Sequence, residues 1–330
     1  MEYRTLGRSG LKVSELCLGT MTFGDDWGWG ADAAESRRIF DAFADAGGTF
    51  VDTSNNYTDG TSETLVGEFA ERGRDRFVLA TKYTLTVDRT DPNAGGNHRK
   101  SLVRSLDQSL RRLRTDYVDL LWLHMRDATT PIEEAVRALD DQVRLGKVLY
   151  VGISDSPAWL VAQANTLADL RGWSPFVALQ LPYSVAGRDP ERELLPMAAA
   201  FGLAVTPWGV LEAGLLTGKP ADERRWPDEH VSARGQAVAD EVVAVACELG
   251  CAPAEVAIAW LRARPEPPAL VPIVGARTVA QLATNLGALD VELTQEQFDR
   301  LDTAGRPELG FPRSFLESRG VRELIYGDLA

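Results

Sequence analysis

Four residues whose side chains can together transfer a proton follow three successive strand-like segments. Asp52 and Tyr57 come after the first segment, Lys82 ends the second, and His124 follows the third. In an α/β barrel the carboxyl ends of the strands converge on one mouth, so residues far apart in the chain meet there. A phenol beside an ammonium, a carboxylate and an imidazole can give a proton to a carbonyl oxygen. The sequence therefore predicts an acid–base site, provided that these segments form such a barrel.

The chemistry depends on the four residues acting together. A phenol has a pKa near 10 and is a poor acid at neutral pH, but a nearby ammonium favours its ionised form. Asp52 would keep Lys82 charged, and His124 would hold the carbonyl oxygen by a hydrogen bond. Taken singly, the four residues have structural alternatives: a rim salt bridge, a cap, a core histidine and loop packing. General acid catalysis contributes roughly 10²–10⁴-fold, so a hydride donor is needed beside it.

Strand-like runs alternate with helical patterns through most of the chain, which is typical of repeated βα units around a parallel sheet. The eight candidate strands are Glu15–Gly19, Thr49–Asp52, Phe77–Lys82, Tyr117–His124, Val148–Ser154, Phe176–Gln180, Leu203–Trp208 and Leu270–Gly275. The candidate helices include Ala33–Ala46, Ser101–Leu113, Ile132–Leu145, Glu191–Ala200, Ala237–Leu249 and Ala254–Arg262.

Eight such units without an internal linker favour one closed (β/α)8 TIM barrel spanning residues 1–330. A doubly wound dinucleotide fold would carry GxGxxG after its first strand, and this chain does not. Arg4–Val13, with Gly7 and Gly10 as turn residues, is predicted to form an N-terminal hairpin that closes the barrel floor. Gly209–Arg234, rich in glycine, proline and charge, is predicted to be a long loop after strand 7 at the barrel mouth.

Composition narrows the classes of partner and location. The net charge of -13 argues against a nucleic-acid or anionic-membrane partner, because nucleic-acid binders usually present a basic face. The N-terminus lacks a signal-peptide pattern, and no apolar run approaches the roughly 20 residues that span a bilayer. Three cysteines without CxxC are typical of a reducing compartment, so a cytoplasmic location is expected. Three separated histidines predict no metal site, and nothing indicates the oligomeric state.

In their order along the chain, several segments resemble the aldo-keto reductase family nearly from end to end. Asp52–Tyr57 matches the family's Asp-x4-Tyr segment, and Asp116–Leu120, leading into His124, is similar to its fourth strand. Three further segments that look family-like are Gly19–Gly24, Gly214–Lys219 and Gly275–Arg277. The resemblance implies an NADPH-dependent oxidoreductase that reversibly reduces aldehydes or ketones to alcohols. It also implies that Tyr57 is the general acid, assisted by Lys82, Asp52 and His124.

The resemblance further implies a cofactor site along the remaining strand ends. Ser154, Asp155 and Gln180 are expected to hold the nicotinamide carboxamide, and Trp208 to stack on the ring. Asp155 stands where the family usually has asparagine, and Trp208 where it often has tyrosine. The other implied contacts are Gly19, Thr20, Met21, Asp52, Gly209, Leu211, Gly214, Leu216, Gly218, Lys219, Gly275, Arg277, Thr278, Gln281 and Asn285. Arg277 suits a 2′-phosphate, which favours NADP over NAD as cofactor, with NAD as the alternative.

The substrate is expected to be a small carbonyl compound that meets Tyr57 and His124. Trp27 and Trp29 follow strand 1 and are expected to form an apolar wall, with loop packing as the alternative reading. The tail segment Gly310–Leu316 is a further candidate for the mouth. Two other functions stay open: a cofactor-binding regulatory module resembling the potassium-channel β-subunits, and a lyase that uses a lysine Schiff base.

Overall fold

The computed structural model describes residues 1–224, 231–265 and 267–327, and eight parallel strands form its centre. In chain order the strands are β1 (Tyr3–Thr5), β2 (Lys12–Ser14), β3 (Cys17–Gly19), β4 (Phe50–Asp52), β5 (Val78–Tyr83), β6 (Val118–Leu123), β7 (Val148–Ser154), β8 (Phe176–Pro182), β9 (Ala204–Trp208) and β10 (Ile273–Gly275). The antiparallel pair β1–β2 is the predicted hairpin, and β3 to β10 form the parallel sheet.

The sheet closes into a barrel. Neighbouring strands follow the order β10-β3-β4-β5-β6-β7-β8-β9. Two backbone hydrogen bonds join β9 to the segment that leads into β10. The Val205 amide donates to the Ala269 carbonyl at 2.8 Å, and the Val205 carbonyl accepts from the Val271 amide at 2.8 Å. All parallel neighbours therefore present their carboxyl ends at the same mouth. The predicted (β/α)8 barrel with its N-terminal hairpin is confirmed.

Twelve α-helices lie in the described residues, most of them around the outside of the barrel. They are α1 (Ala33–Asp45), α2 (Thr61–Ala70), α3 (Arg99–Arg112), α4 (Ile132–Arg144), α5 (Ala158–Arg171), α6 (Leu194–Phe201), α7 (Ala233–Leu249), α8 (Pro253–Arg262), α9 (Val279–Gly287), α10 (Gln295–Gly305), α11 (Arg313–Leu316) and α12 (Arg319–Tyr326). Side-chain caps define several starts; Asp32, for example, accepts from the Glu35 amide at 2.8 Å.

The predicted boundaries were wrong where local chemistry interrupts an element. The first barrel strand begins at Cys17 rather than Glu15, because the Glu15 backbone amide donates to the Glu2 carbonyl at 3.0 Å on the hairpin side instead of to a barrel strand. The last strand is shortened to β10, since Pro272 lacks the amide proton that a ladder needs. The predicted helix Glu191–Ala200 is a 3-10 turn at Asp189–Glu191 followed by α6. These shifts change no strand order.

The predicted loop Gly209–Arg234 is more structured than expected. It contains 3-10 turns at Glu212–Thr217 and Ala221–Glu223, and its last two residues already belong to α7. Ser232 caps that helix by accepting from the Gly235 amide at 3.0 Å. The part of the prediction that concerns residues 225–230 lies outside the described residues.

The barrel interior is filled by side chains, as in other closed barrels of this size. Leu6 and Val13 of the hairpin are fully buried with Phe50 and Trp122 in one apolar cluster, so the hairpin seals the floor. Trp122 lies against Gly152 on the next strand, where an added Cβ would fall 2.4 Å from the indole. The glycine leaves room for the ring, and the packed floor leaves the opposite mouth open for a site.

Candidate active site

The segment that carries Tyr57 is held in an unusual backbone conformation. Tyr57 begins a short 3-10 turn in which Thr58 and Asp59 have φ of 46° and 54°, a left-handed region that non-glycine residues rarely adopt. The Thr58 hydroxyl fixes this turn, because it donates to the Phe23 carbonyl at 2.7 Å and accepts from the Ser62 amide at 3.0 Å. The phenol is therefore positioned by surrounding structure rather than by local preference.

Lys82 is fully buried behind Tyr57 and its ammonium has three hydrogen-bond acceptors. It donates to the Asp52 carboxylate, to the Thr53 carbonyl at 2.8 Å and to the Tyr57 hydroxyl at 3.1 Å. The other carboxylate oxygen of Asp52 accepts from the side-chain NH₂ of Gln180 at 3.1 Å. Both charges of the buried pair are thus hydrogen-bonded, which compensates for their removal from water.

The protonation of this group follows from burial and charge. Burial acts to lower the pKa of Lys82, but Asp52 and Tyr57 outweigh it, so the pKa is raised and the side chain stays cationic. Burial raises the pKa of Tyr57, and the lowering by Lys82 only partly offsets it. From the residue types alone, Lys82 is expected to lower the pKa of the phenol. That contribution is present, but the desolvation of the phenolate by burial is larger.

His124 lies beside the phenol at the end of β6. Its ring stands nearly perpendicular to the Tyr57 ring, at 82° and 6.3 Å between centroids. The Ser54 hydroxyl lies 3.4 Å from Nδ1 of the imidazole. Burial, and then the charge of Lys82, lower the pKa of His124 to about 3. The imidazole is therefore neutral around neutral pH and can donate one N–H.

The neutral state of His124 gives a testable pH dependence of stability. An unfolded histidine has a pKa near 6.5, so between about pH 6 and pH 3 the unfolded chain binds a proton that the folded chain rejects. Acidification through this window favours unfolding. We expect the stability advantage of the wild type over His124→Gln to shrink by about 2 kcal/mol between about pH 6 and pH 4. Urea unfolding at several pH values measures it, and parallel pH profiles of the two proteins would contradict the burial argument.

A cavity of about 600 Å³ opens at the barrel mouth with Tyr57, His124 and Asp52 at its wall. Lys82 lies behind this wall, within hydrogen-bonding distance of the phenol. The structure thus brings all four residues together. The other predicted site residues that line the cavity are Gly19, Met21, Trp27, Asp155, Gln180, Trp208, Gly209, Leu211, Gly214, Lys219, Gly275, Arg277, Gln281 and Asn285.

Some predicted residues do not line the cavity. Thr20 is buried and its hydroxyl donates to the Asp52 carbonyl at 3.0 Å, so it supports the site from behind. Leu216 is buried in the core, and Trp29 packs on Trp27 with ring centroids 5.7 Å apart. The remaining predicted residues outside the wall are Ser154, Gly218, Thr278 and the tail segment Gly310–Leu316.

Several lining residues were not predicted. Some lie within three residues of predicted ones near strand ends and could have been found from that position; these are Thr22, Asn56, Leu85, Met125, Val210, Ile273 and Ala276. Others come from turns and helices whose approach the sequence does not reveal; these are Ala213, Thr217, Glu223, Ala252, Pro253, Ala254 and Thr284.

Asp155 and Trp208 form a contact within the cavity. Asp155 has φ of 39°, and its amide donates to the Gln180 carbonyl at 3.3 Å. One oxygen of its carboxylate accepts from the Trp208 indole N–H at 3.2 Å. Burial raises the pKa of Asp155, and the indole hydrogen bond partly offsets this. The two residues that depart from the family pattern are therefore coupled to each other.

The end of the cavity formed after β10 is polar. Thr278 caps α9 by accepting from the Gln281 amide at 3.2 Å, and the Gln281 side chain accepts from the Arg277 amide at 2.8 Å. Asn285 donates to the Gly275 carbonyl at 3.1 Å. These bonds leave the exposed guanidinium of Arg277 at the cavity wall, where it can bind an anion.

The residues present fit a nicotinamide nucleotide. The Ser154 hydroxyl is buried just behind the cavity wall, and its one interaction in the described parts of the chain is a weak one with the neighbouring Asp155 carboxylate, whose pKa it lowers. The Asp155 carboxylate next to it is a hydrogen-bond acceptor. The Gln180 side chain provides a second acceptor, its amide oxygen, because its nitrogen donates to Asp52. One donor beside two acceptors complements a carboxamide. Gly209, with φ of 68° and open space around it, would let a ligand approach the backbone closely.

Across residues 1–224, 231–265 and 267–327 no cluster of three or more His, Cys, Asp or Glu side chains is arranged to hold a metal ion. No single helix in those ranges has the length and apolar character of a membrane span. α7 and α8 meet such a criterion only together, across a bend of 98°.

The comparisons with known proteins agree with this geometry. The model of the aldo/keto reductase family matches residues 15–306. The norsolorinic acid reductase of Aspergillus flavus is 39% identical over 329 residues, which cover 95% of this chain and 84% of that protein. The aryl-alcohol dehydrogenase of Phanerodontia chrysosporium, whose name specifies NADP(+), is 39% identical, covering 92% and 85%. The chain therefore belongs to the aldo/keto reductase family and is an NAD(P)H-dependent oxidoreductase.

Proposed function

We propose that this protein is an NADPH-dependent reductase of aromatic aldehydes or ketones that also works in the direction of alcohol oxidation. The observation that carries the proposal is the 3.1 Å hydrogen bond between the buried Lys82 ammonium and the Tyr57 hydroxyl, at a cavity wall shared with a neutral His124. An acid held by a permanent cation beside a neutral hydrogen-bond donor is suited to protonating a carbonyl oxygen.

In this mechanism each residue has a separate task. His124 donates a hydrogen bond to the carbonyl oxygen, and its neutrality matters because a cation there would compete with Lys82. With Nδ1 facing Ser54, Nε2 is the nitrogen available for this bond. The hydride for the carbonyl carbon would come from a nicotinamide nucleotide when one is bound. Tyr57 then gives its proton to the oxygen, and Lys82, held by Asp52, stabilises the phenolate that remains.

The cofactor would extend from the acid–base group towards β10. The Ser154 hydroxyl would donate to the carboxamide oxygen, and Asp155 and Gln180 would accept from its NH₂ group. The indole face of Trp208 would cover the ring, and Lys219 and Arg277 would meet the phosphates. The guanidinium of Arg277 is the reason for proposing NADPH rather than NADH.

The proposed substrate class rests on the apolar part of the cavity. Trp27, Leu85 and Met125 line it near the acid–base group, which gives a wall suited to a flat apolar ring. The names of the relatives point the same way, since one is an aryl-alcohol dehydrogenase and another reduces norsolorinic acid.

A lysine Schiff-base mechanism is less consistent with these contacts. A nucleophilic lysine must lose its proton, and enzymes achieve this by lowering its pKa. Here Asp52 and Tyr57 together raise the pKa of Lys82 despite burial, and its three hydrogen bonds point the ammonium at acceptors. This environment supports a permanent cation.

The function is tested by following NADPH oxidation with a matched panel of carbonyl compounds. We expect benzaldehyde derivatives to be reduced with a higher kcat/KM than cyclohexanecarboxaldehyde, which has similar size but no flat ring. NADH should support the reaction with a higher KM. Tight NADPH binding without turnover of any compound would favour the regulatory module that resembles the potassium-channel β-subunits.

A further inference from the structure

The charges around the acid–base group do not balance. The buried cation of this group is the Lys82 ammonium, and the Asp52 carboxylate neutralises that charge. Tyr57 and His124 are neutral, since burial raises the pKa of the phenol and lowers that of the imidazole. This leaves the carboxylate of Asp155, which accepts from the neutral Trp208 indole and forms no ion pair within the described parts of the chain.

The other charged groups near the mouth do not provide a buried partner for this carboxylate. Arg126 is exposed and lies over the Trp159 ring, 5.2 Å from its centroid. Lys219, Glu223 and Arg277 line the cavity from the segments after β9 and β10, which are not the strands next to Tyr57. Lys82 also acts on Asp155, where its charge lowers the carboxyl pKa against the larger effect of burial. Two carboxylates, Asp52 and Asp155, therefore share one buried cation, and the reacting corner keeps a net charge of one negative.

A nicotinamide ring that reacts here must come close to this charge. Under the proposed function, Tyr57 protonates the oxygen of the carbonyl whose carbon would receive the hydride, so a reacting ring would have to bind close to the phenol. Burial is the main reason for the raised pKa of Tyr57, and the Asp155 carboxylate adds to it. A charge close enough to act on the phenol also acts on a ring beside it.

We infer that Asp155 biases the cavity towards the oxidised cofactor, so that NADP⁺ binds more tightly relative to NADPH than it would with a neutral residue at this position. The oxidised ring is a cation and the reduced ring is neutral, while the rest of the molecule is identical. Trp208 acts in the same direction, because an aromatic face attracts a cation. Its indole N–H donates to Asp155, which makes the ring system more electron-rich. The inference rests on the proposed function.

Asparagine is a matched substitution at this position. It has nearly the same shape as aspartate and tolerates the left-handed backbone that φ of 39° requires. Its side-chain oxygen can still accept from the Trp208 indole. Asp155→Asn therefore removes the charge and leaves the hydrogen bond and the packing in place.

Calorimetric titration of the intact protein with NADP⁺ and with NADPH tests the inference. In Asp155→Asn the ratio Kd(NADP⁺)/Kd(NADPH) is expected to rise about tenfold, the size of one partly screened charge at short range. Glu223→Gln is the control, because it removes a carboxylate at another part of the same cavity. It should change both Kd values by a similar factor. Phosphate contacts are common to both forms and cancel in the ratio.

Acidification provides an independent readout. Burial raises the pKa of Asp155, so the wild-type ratio should rise towards that of Asp155→Asn as the pH falls, while the variant stays flat. An unchanged ratio in a variant that unfolds at the wild-type temperature would overturn the inference and leave the proposed function intact. Failure of the wild type to bind either nucleotide would overturn both.

Discussion

Replacing Tyr57 by phenylalanine is expected to lower kcat for carbonyl reduction by about 10³-fold, within the range that a general acid contributes. The variant keeps the ring that packs near His124 and loses only the hydroxyl that Lys82 holds at 3.1 Å. Because the phenol is one small part of the cavity wall, the Kd for NADPH should stay within about twofold of the wild-type value. Single-turnover kinetics and a binding titration measure the two quantities separately.

Tyr150→Phe is the matched control for this change. Tyr150 belongs to β7, is partly buried against the apolar cluster at the barrel floor, and loses the same single oxygen. It should leave kcat unchanged. Full activity of Tyr57→Phe would remove the phenol from its role as the acid. A parallel loss of NADPH affinity would indicate a structural rather than a chemical effect.

Replacing Lys82 by methionine is expected to reduce both activity and stability. The substitution keeps an unbranched side chain one atom shorter and removes the charge, so Tyr57 loses the cation that stabilises its phenolate. Asp52, which is 3% exposed, would keep its Gln180 bond but lose its ion-pair partner. Breaking one side of a buried pair typically costs about 3–5 kcal/mol of unfolding free energy. Urea unfolding and steady-state kinetics measure the two effects.

A second variant separates the ion pair from packing. In Asp52→Asn combined with Lys82→Met no unpaired charge is left, so part of the lost stability should return while activity stays low. Lys147→Met is the control, because its ammonium pairs with Asp107 at 2.8 Å in a contact more than a third exposed. Such surface pairs contribute about 0–1 kcal/mol. Equal losses for Lys82→Met and Lys147→Met would contradict the importance of burial.

Much of the fold could be predicted because the signals are local. Apolar runs such as those that became β5 and β6 are buried on both faces, and their alternation with helices indicates a parallel barrel. The tetrad could be predicted as a group for a related reason. Strand ends in this architecture always face the same mouth, so placing Asp52, Lys82 and His124 at strand ends already places them together.

Other features depend on contacts between distant segments. The contribution of Ala252–Ala254 to the cavity requires α8 to reach the mouth beside the turn at Glu212–Thr217. The net rise in the pKa of Tyr57 depends on how completely the phenol is buried. Neither the position of α8 nor the burial of Tyr57 can be predicted from the residues that adjoin them in the sequence.

The amino-acid sequence by itself determined the barrel, the four residues at its strand ends and the strands from which a cofactor would be held. Periodicity and residue type act over short stretches, so they can be read without coordinates. Only the tertiary structure decided that Lys82 is fully buried, that His124 is neutral and that Asp155 accepts a hydrogen bond from Trp208 rather than pairing with a cation. Burial and charge balance are sums over groups brought together from the whole chain, and these sums determine the chemistry of the site.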